Sequence, residues 1–308
     1  MKLGQQAATL YGIISILLWS TMVGLIRSVS ESFGAVGGAA LIYTIGTVIL
    51  LIVMGPPKIR NYSRRYLIWG TLLFVSYEMC FVLALGLASS RQQAIELGMV
   101  NYLWPSFTIA LAVFFNRQRF TVFLGIGLSL AFAGLIWVIS GDKPISINAI
   151  IENIKSNPLS YFLAFIGAIF WSFYSNVTKR ISGGHNGMVL FFTMTCIGLW
   201  VLFLFEPSTQ FNISFNSIIL LLLASIATGG ANALWTLAVI RGNVAFLGTL
   251  SYFTPILSTA FSSALLATAL TISFWQGVVM VTLGSIICFL ATRNTLTPKI
   301  VVNNGQKH

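Results

Sequence analysis

Glu78 is an acidic residue at the centre of a strongly apolar stretch, "FVSYEMC" at residues 74–80. If this stretch crosses a bilayer, an acidic side chain at its centre costs about 2.5–3.5 kcal/mol on insertion scales. Such a residue needs a proton, a hydrogen-bonding partner or a water-filled cavity. Two interpretations follow: Glu78 acts in a functional site, or it is a neutral acid that locks two helices together. Glu96 lies near the start of the next apolar stretch and fits a cavity mouth or a structural role.

Two other apolar stretches share a Leu-Gly and Tyr-x-x-Pro frame, "LGMVNYLWP" at residues 97–105 and "LGTLSYFTP" at residues 247–255. A proline inside a helix removes a backbone hydrogen bond and bends the helix. In a membrane the freed carbonyl needs another donor or water. Nearby polar residues can supply donors: Asn101 and Tyr102 in the first stretch, Ser251 and Tyr252 in the second. We predict that the bends at Pro105 and Pro255 act as gates, the alternative being two static kinks.

Tryptophan and tyrosine residues recur in the middle of apolar stretches, although membrane proteins usually collect them at the two interfaces. Each ring offers an apolar face and a polar tip, which suits the wall of a cavity. Some have polar neighbours at helical spacing, as Trp235 has in Asn232. The predicted substrate-binding residues are Trp19, Tyr77, Glu78, Asn101, Tyr102, Trp104, Trp171, Tyr174, Asn232, Trp235, Ser251 and Tyr252.

Signals for enzymatic or metal chemistry are missing from the sequence. The three cysteines, Cys80, Cys196 and Cys288, fall within apolar stretches, where cysteine usually fills space. His185 and His308 have no cysteine or carboxylate at metal-ligand spacing. Phosphate-binding loops and the common hydrolase and metalloprotease motifs are also missing. We therefore expect no catalytic residues, no metal and no cofactor.

The composition indicates which elements must position these residues. Hydrophobic residues make up 57% of the chain and charged residues 7%, which is typical of a membrane protein. A spanning helix needs about 20 mostly apolar residues. The sequence predicts an all-α membrane protein with ten transmembrane helices: 9–28, 35–55, 67–89, 93–115, 121–140, 158–178, 187–205, 217–239, 244–268 and 274–292.

The net charge of +11 is distributed unevenly between the loops. With the amino terminus inside, 13 basic residues lie on the inner side: Lys2, Lys58, Arg60, Arg64, Arg65, Arg117, Arg119, Lys179, Arg180, Arg241, Arg293, Lys299 and Lys307. Four lie outside: Arg27, Arg91, Lys143 and Lys155. Cytoplasmic loops carry such an excess, so the charge sets orientation and does not indicate nucleic-acid binding. Both termini are predicted to be cytoplasmic, in a bacterial inner membrane.

The two proline stretches belong to an internal repeat at an offset of 150 residues. Arg91 matches Arg241, and the glycines at 98, 127 and 134 match those at 248, 277 and 284. Each half holds five predicted spans, an odd number, so the second half crosses in the opposite sense, as in many secondary transporters. We predict a first repeat at 1–140, an external linker at 141–157, a second, inverted repeat at 158–292 and a cytoplasmic tail at 293–308.

The chain resembles the drug/metabolite transporter superfamily of the EamA type. The resemblance rests on the blocks "LLWSTMVGLIRSVSE", "FVSYEMC", "QQAIELGMVNYLWPS", "NPLSYFLAFIGA", "GNVAFLGTLSYFTPILSTA" and "SFWQG". It implies a secondary transporter that exports phenylalanine, tyrosine and tryptophan across the inner membrane by alternating access, without ATP. Asn101, Asn232 and Ser251 could then hydrogen-bond the substrate carboxylate, and Glu78 could attract its ammonium.

Alternatives remain open at this point. A broader amino acid, metabolite or drug exporter of the same superfamily would fit the same residues, and a passive channel could share the same polar lining. A membrane-embedded enzyme is disfavoured because the central carboxylate stands alone. The expected partners are a small-molecule substrate and the lipid bilayer. The sequence leaves open the transport direction, the coupling ion and the oligomeric state, a monomer being possible.

Overall fold

The protein is described here by a computed structural model, which describes residues 4–116, 121–140, 147–206, 210–241, 247 and 250–293. All regular secondary structure within these residues is helical. Some of the sequence predictions fall outside the described residues, namely residues 294–308 of the predicted tail, residues 141–146 of the linker, Gly248, and the basic residues Lys2, Arg117, Arg119, Lys143, Lys299 and Lys307.

The helices follow one another with short connections. Before the linker they are α1 (Gln5–Phe33), α2 (Ala35–Met54), α3 (Thr71–Gly86, preceded by a π-helical turn at Tyr66–Gly70), α4 (Arg91–Asn101), α5 (Trp104–Asn116) and α6 (Val122–Ser140). Then come α7 (Ile147–Ser156), α8 (Pro158–Ile181), α9 (Met188–Phe203), α10 (Phe215–Ser225), a π-helical turn at Ile226–Gly230, α11 (Ala231–Arg241), α12 (Thr254–Leu265) and α13 (Ile272–Arg293).

Seven of the described helical segments are long and apolar enough to cross a membrane. Helix α9 is also apolar but shorter, at 16 residues. The protein is therefore a multi-pass helical membrane protein. The remaining two predicted spans, 93–115 and 244–268, contain the two proline stretches and do not form single continuous helices.

Local sequence signals set the helix ends. The side chains of Ser90, Asn157 and Ser214 accept hydrogen bonds from backbone amides in the first turns of α4, α8 and α10. Helix α8 also begins with Pro158, whose missing N–H would have no partner at that position. Gly34 alone separates α1 from α2, with a φ of 73° that is accessible to glycine at little cost.

The two proline stretches are broken rather than bent. Helix α4 ends at Asn101, two residues form a turn, and α5 begins at Trp104 with Pro105 in its first turn. The same pattern recurs 150 residues later, where Tyr252 and Phe253 form the turn and Pro255 lies in the first turn of α12. A proline is tolerated at the start of a helix because its missing N–H would be unpaired there anyway. The prediction of a bend inside a continuous helix is therefore wrong, because each helix is interrupted by a two-residue turn before its proline.

Helices α6 and α13 pack against each other along four glycines. A Cβ atom added to Gly127 would meet the backbone oxygen of Gly284 at 2.8 Å, and one added to Gly134 would meet the backbone oxygen of Gly277 at 2.8 Å. As the residue number rises along one helix it falls along the other, so the two helices run antiparallel. Small residues are what allow helix backbones to approach this closely in membranes.

The other helices pair in a matching way. Helix α2 packs against α9, with the Thr44 hydroxyl 2.9 Å from the indole nitrogen of Trp200. Helix α1 packs against α11 and α12, while α8 packs against α3 and α5. The first long helix on each side of the linker thus contacts the third and fourth predicted spans of the other side. The contacts between the two groups of helices form much of the core.

The end of the molecule that carries the linker is tied by charged and polar groups. Glu31 on α1 accepts hydrogen bonds from Arg27 at 3.2 Å and from Arg91 on α4 at 2.7 Å. The two guanidinium groups also donate to backbone carbonyls, Arg27 to Ala88 at 2.7 Å and Arg91 to Leu266 at 3.2 Å. This cluster joins α1, α4 and the ends of α3 and α12.

Residues 147–156 of the predicted linker form the helix α7, which the sequence does not predict. Its Asn153 amide donates to the carboxylate of Glu96 at 3.1 Å, and the Tyr161 hydroxyl donates to the same carboxylate at 2.7 Å. Glu96 is buried, with 5% of its surface exposed. It therefore holds α4, α7 and α8 together, which accounts for its position without a part in a cavity.

Candidate functional site

A cavity of about 210 Å³ lies where the helices before and after the linker meet. Helices α1, α3, α4, α5, α8, α11 and α12 contribute to it. Its described lining residues are Trp19, Met22, Tyr77, Glu78, Phe81, Asn101, Tyr102, Trp104, Trp171, Ser175, Asn232, Trp235, Ser251 and Thr254. Both broken helices reach the cavity near their turns, which places backbone that is not helical next to this space, as is usual at such depth.

The structure brings together ten of the twelve residues predicted to bind substrate. Tyr174 and Tyr252 are outside the lining. The Tyr174 ring packs between Phe74 and Trp171, with centroids 5.3 Å from each. The Tyr252 ring packs against Phe289 on α13 at 5.1 Å. The Tyr174 ring therefore contacts the lining residue Trp171, whereas the Tyr252 ring packs towards α13.

Four lining residues were missed in the sequence: Met22, Phe81, Ser175 and Thr254. Each lies three or four positions after a residue that was predicted: Trp19, Glu78, Trp171 and Ser251, respectively. Residues at these spacings share one face of a helix. Helical spacing from the predicted residues would therefore have found Met22, Phe81 and Ser175, although it would also have admitted residues such as Tyr174, whereas Thr254 is separated from Ser251 by the turn at residues 252–253.

Glu78 on α3 faces the cavity and is buried, with 4% of its surface exposed. The Tyr43 hydroxyl on α2 donates a hydrogen bond to its Oε2. The Tyr43 ring is itself fully buried and packs on Phe192 of α9, with centroids 5.1 Å apart. The position of Glu78 is compatible with both interpretations, since its carboxyl group links two helices and also reaches the cavity.

Four of the aromatic rings in the cavity wall form two pairs in direct contact. Trp19 on α1 lies 5.1 Å from Trp235 on α11, and Trp171 on α8 lies 4.7 Å from Tyr77 on α3. Each pair joins the first span of one side to the third span of the other. Trp104, at the start of α5, adds an edge contact to Trp171 at 6.0 Å. A flat apolar group that enters the cavity can therefore contact aromatic rings.

Hydrogen bonds from α8 hold the start of α5 beside the cavity. The Ser172 hydroxyl donates to the carbonyl oxygen of Trp104 at 3.0 Å, and the Asn176 amide donates to that of Thr108 at 3.0 Å. Asn101 and Tyr102 are the residues predicted from the sequence to supply donors at this break. The described cross-helix donors instead come from α8. The Asn101 side chain is buried, and its Oδ1 has no hydrogen-bond partner among the described residues.

The lining offers one formal charge among the residues that the structure describes, the carboxyl group of Glu78. Within the same described part of the chain, no group of three or more histidine, cysteine, aspartate or glutamate side chains could hold a metal ion. The arrangement can enclose an aromatic group between rings and hydrogen-bond polar groups at its edge. Such a cavity, among the spanning helices of a multi-pass protein, is the arrangement expected of a membrane transport protein.

Comparison with known proteins places the chain within this class. The EamA-like transporter family matches residues 158–290. Two curated relatives are named aromatic amino acid exporter YddG. The protein from Salmonella typhimurium is 47% identical over 94% of this chain and 98% of its own length, and the protein from Escherichia coli is 48% identical over 94% and 99%. The chain belongs to the EamA-like transporters of the drug/metabolite transporter superfamily.

A more distant relative and a solved structure agree with this assignment. A protein from Ancylobacter novellus that carries the same name is 28% identical over 83% of this chain and 88% of its own length. A crystal structure with 24% sequence identity covers 96% of this chain and all of that chain, with a TM-score of 0.65. That structure shows that the fold is shared.

Proposed function

We propose that the protein exports aromatic amino acids across the inner membrane as a secondary transporter. One observation supports this most directly, namely that aromatic rings from both sides of the linker line one cavity, with a single carboxyl group among its described lining residues. Aromatic walls suit aromatic side chains, and the polar groups suit an amino acid's charged end. The names of the two relatives at 47% and 48% identity point to the same substrates. Substrate is proposed to contact the ten predicted residues that line the cavity.

We propose ten spans in two inverted repeats. The seven long apolar helices, α9 and the two broken helices would make up this number. The antiparallel packing of α6 on α13 supports inversion, because Gly127 and Gly277 are repeat equivalents and so are Gly134 and Gly284. Gly127 contacts Gly284, the equivalent of Gly134, and Gly134 contacts Gly277, the equivalent of Gly127. This exchange is what a two-fold axis relating the two helices requires. Residues 1–140 and 158–292 are the proposed repeats, with both termini cytoplasmic.

Alternating access is proposed to use the two broken helices. The turns at residues 102–103 and 252–253 lie at equivalent places in the two repeats, and each precedes a proline. A helix that is already interrupted can change direction there without losing further backbone hydrogen bonds. The half-helices α5 and α12 would then open one side of the cavity while the other side stays packed. Pro105 and Pro255 would keep each turn from closing into a continuous helix.

The test is transport by the purified protein in proteoliposomes, with a panel of labelled amino acids and cationic drugs. Export of aromatic amino acids predicts saturable uptake of phenylalanine, tyrosine and tryptophan, and counterflow when the vesicles are preloaded with unlabelled substrate. Uptake of unrelated amino acids or drugs at comparable rates would replace this proposal with a broader exporter. Uptake without saturation or counterflow would indicate a channel.

A further inference from the structure

The charged end of an aromatic amino acid meets an unequal set of partners in the cavity. Its ammonium has one carboxyl group, Glu78, as a charge partner. Its carboxylate meets no lysine, arginine or histidine among the described lining residues. The electrostatic match therefore favours the ammonium over the carboxylate.

Three of the polar lining residues that could donate to a carboxylate already donate to backbone oxygens. The Asn232 amide donates to the carbonyl oxygen of Thr228 at 2.8 Å. The Ser175 and Thr254 hydroxyls donate to the backbone oxygens of Trp171 at 2.9 Å and Ser251 at 2.6 Å. A hydroxyl has a single proton to give, so these two serve a carboxylate only after breaking a bond to their own helix.

Glu78, in contrast, can accept further hydrogen bonds. Its Oε2 accepts the hydrogen bond from Tyr43, and none of the described residues donates to Oε1. Neither of the two described salt bridges involves Glu78. A carboxylate that is buried without a cation is costly, and pairing with a cation offsets that cost. An ammonium ion offers three donors and no acceptor, which matches what the carboxyl group lacks.

We propose that the cavity recognises a protonated amine beside an aromatic ring, with Tyr43 positioning Glu78, and that the substrate's carboxylate is dispensable. The expected ligands are aromatic monoamines and aromatic amino acids whose carboxyl group is blocked as an ester or amide. N-acylated aromatic amino acids and aromatic acids that lack the amine are excluded. The inference rests on the proposed function, since it names the chemical group by which the same cavity selects its substrate.

The experiment uses the full chain in proteoliposomes and measures inhibition of labelled phenylalanine counterflow at a pH where amines are protonated. The competitors are 2-phenylethylamine, phenylalanine methyl ester, phenylalanine amide, N-acetylphenylalanine and 3-phenylpropionate. The first three are expected to compete within about threefold of phenylalanine, and the last two at least about tenfold more weakly, because they lack the charge that pairs with Glu78. Equal competition by N-acetylphenylalanine, or none by the three amines, would overturn the inference while phenylalanine transport remained intact.

Variants separate charge recognition from folding. Glu78→Gln should abolish the preference for amines over N-acetylphenylalanine, and Tyr43→Phe, which keeps the ring, should reduce it. Glu96→Gln is the matched control, because this acid is equally buried but bound to Asn153 and Tyr161 away from the cavity. It should keep the order of competitors. An unchanged order in Glu78→Gln would also overturn the inference.

A direct binding measurement keeps this inference distinct from the proposed function. If phenylalanine is not transported at all, the proposed function fails. Quenching of tryptophan fluorescence by 2-phenylethylamine and by 3-phenylpropionate, in the native chain and in Glu78→Gln, then still decides whether the cavity selects the amine. Selective quenching by the amine that disappears in Glu78→Gln supports the inference, and equal quenching by both compounds contradicts it.

Discussion

The carboxyl group of Glu78 is both fixed to a neighbouring helix and accessible from the cavity. Its hydrogen bond from Tyr43 fixes the carboxyl group to α2, and its place in the cavity wall leaves it available to a ligand. A carboxyl group with a fixed position and a variable partner can pass between a neutral and a charged state as that partner comes and goes. This is the behaviour expected of a residue that couples substrate binding to a proton.

Glu78→Gln tests this role because glutamine keeps the shape and a hydrogen-bonding oxygen but cannot ionise. Transport should fall well beyond any loss of expression, and the remaining flux should depend less on pH between about 5 and 8, since this proton exchange is removed. The measurement is initial uptake across this pH range at equal protein density. Flux and pH profile close to those of the native chain would reduce Glu78 to a helix lock.

Prediction of individual site residues from the sequence succeeded where a polar or aromatic residue stood out from an apolar background. Trp19, Glu78 and Asn101 are such residues, and all three line the cavity. The pattern could not separate Tyr174 from Ser175, because both follow Trp171 by about one helical turn. The side-chain direction that puts Ser175 at the cavity depends on how α8 is rotated against α3 and α5, which only tertiary packing sets. Binding by these residues remains a prediction.

At the level of elements, the two broken helices are the proposed gates. Both breaks precede a proline, and both reach the cavity. Pro105→Ala and Pro255→Ala restore an N–H and place a strong helix former at the turn, so each favours a continuous helix. Turnover should fall more than apparent substrate affinity, because the cavity remains while its opening becomes slower. The measurement is the maximal rate against the half-saturating concentration in proteoliposomes.

Expression and insertion of both proline variants should stay near those of the native chain, since alanine is compatible with a membrane helix. Maximal rates that match the native chain in both variants would show that the prolines are static features. A loss confined to affinity would place them in the binding site instead of the gate.

Two helices match their predicted spans closely because charges and turn residues bound these apolar runs. The predicted span 35–55 corresponds to α2 at Ala35–Met54, and 121–140 corresponds to α6 at Val122–Ser140. The helix α7 was missed because its ten residues are too few to span and contain five polar or charged side chains. It is held in place by Asn153 and Glu96, a contact between distant parts of the chain that no local pattern reports.

At the scale of the whole molecule, the two groups of helices depend on close backbone contact between α6 and α13. Gly284→Ala places a methyl group 2.5 Å from the backbone nitrogen of Ala131, which cannot move away as a side chain could. We expect destabilisation of about 1–3 kcal/mol or more, as for other overpacked sites. Gly230→Ala is the control, since the nearest atom is a side-chain carbon at 3.4 Å. The measurement is the Tm of the purified protein, and equal Tm values would contradict the contact.

The inverted arrangement predicts which loops face each side of the membrane. Single cysteines are introduced at Arg60, in the connection between α2 and α3, and at Glu152 on α7, both exposed positions, after the three native cysteines are replaced. Glu152 suits labelling better than its neighbour Ile150, which packs against the core. In intact cells a membrane-impermeant thiol reagent should label position 152 and leave position 60 unlabelled until the membrane is opened, because the basic loop is proposed to be cytoplasmic. Tags at residues 1 and 308 should behave like position 60. Labelling of position 152 only after permeabilisation would put the linker inside, and the ten-span model with its inversion could not stand.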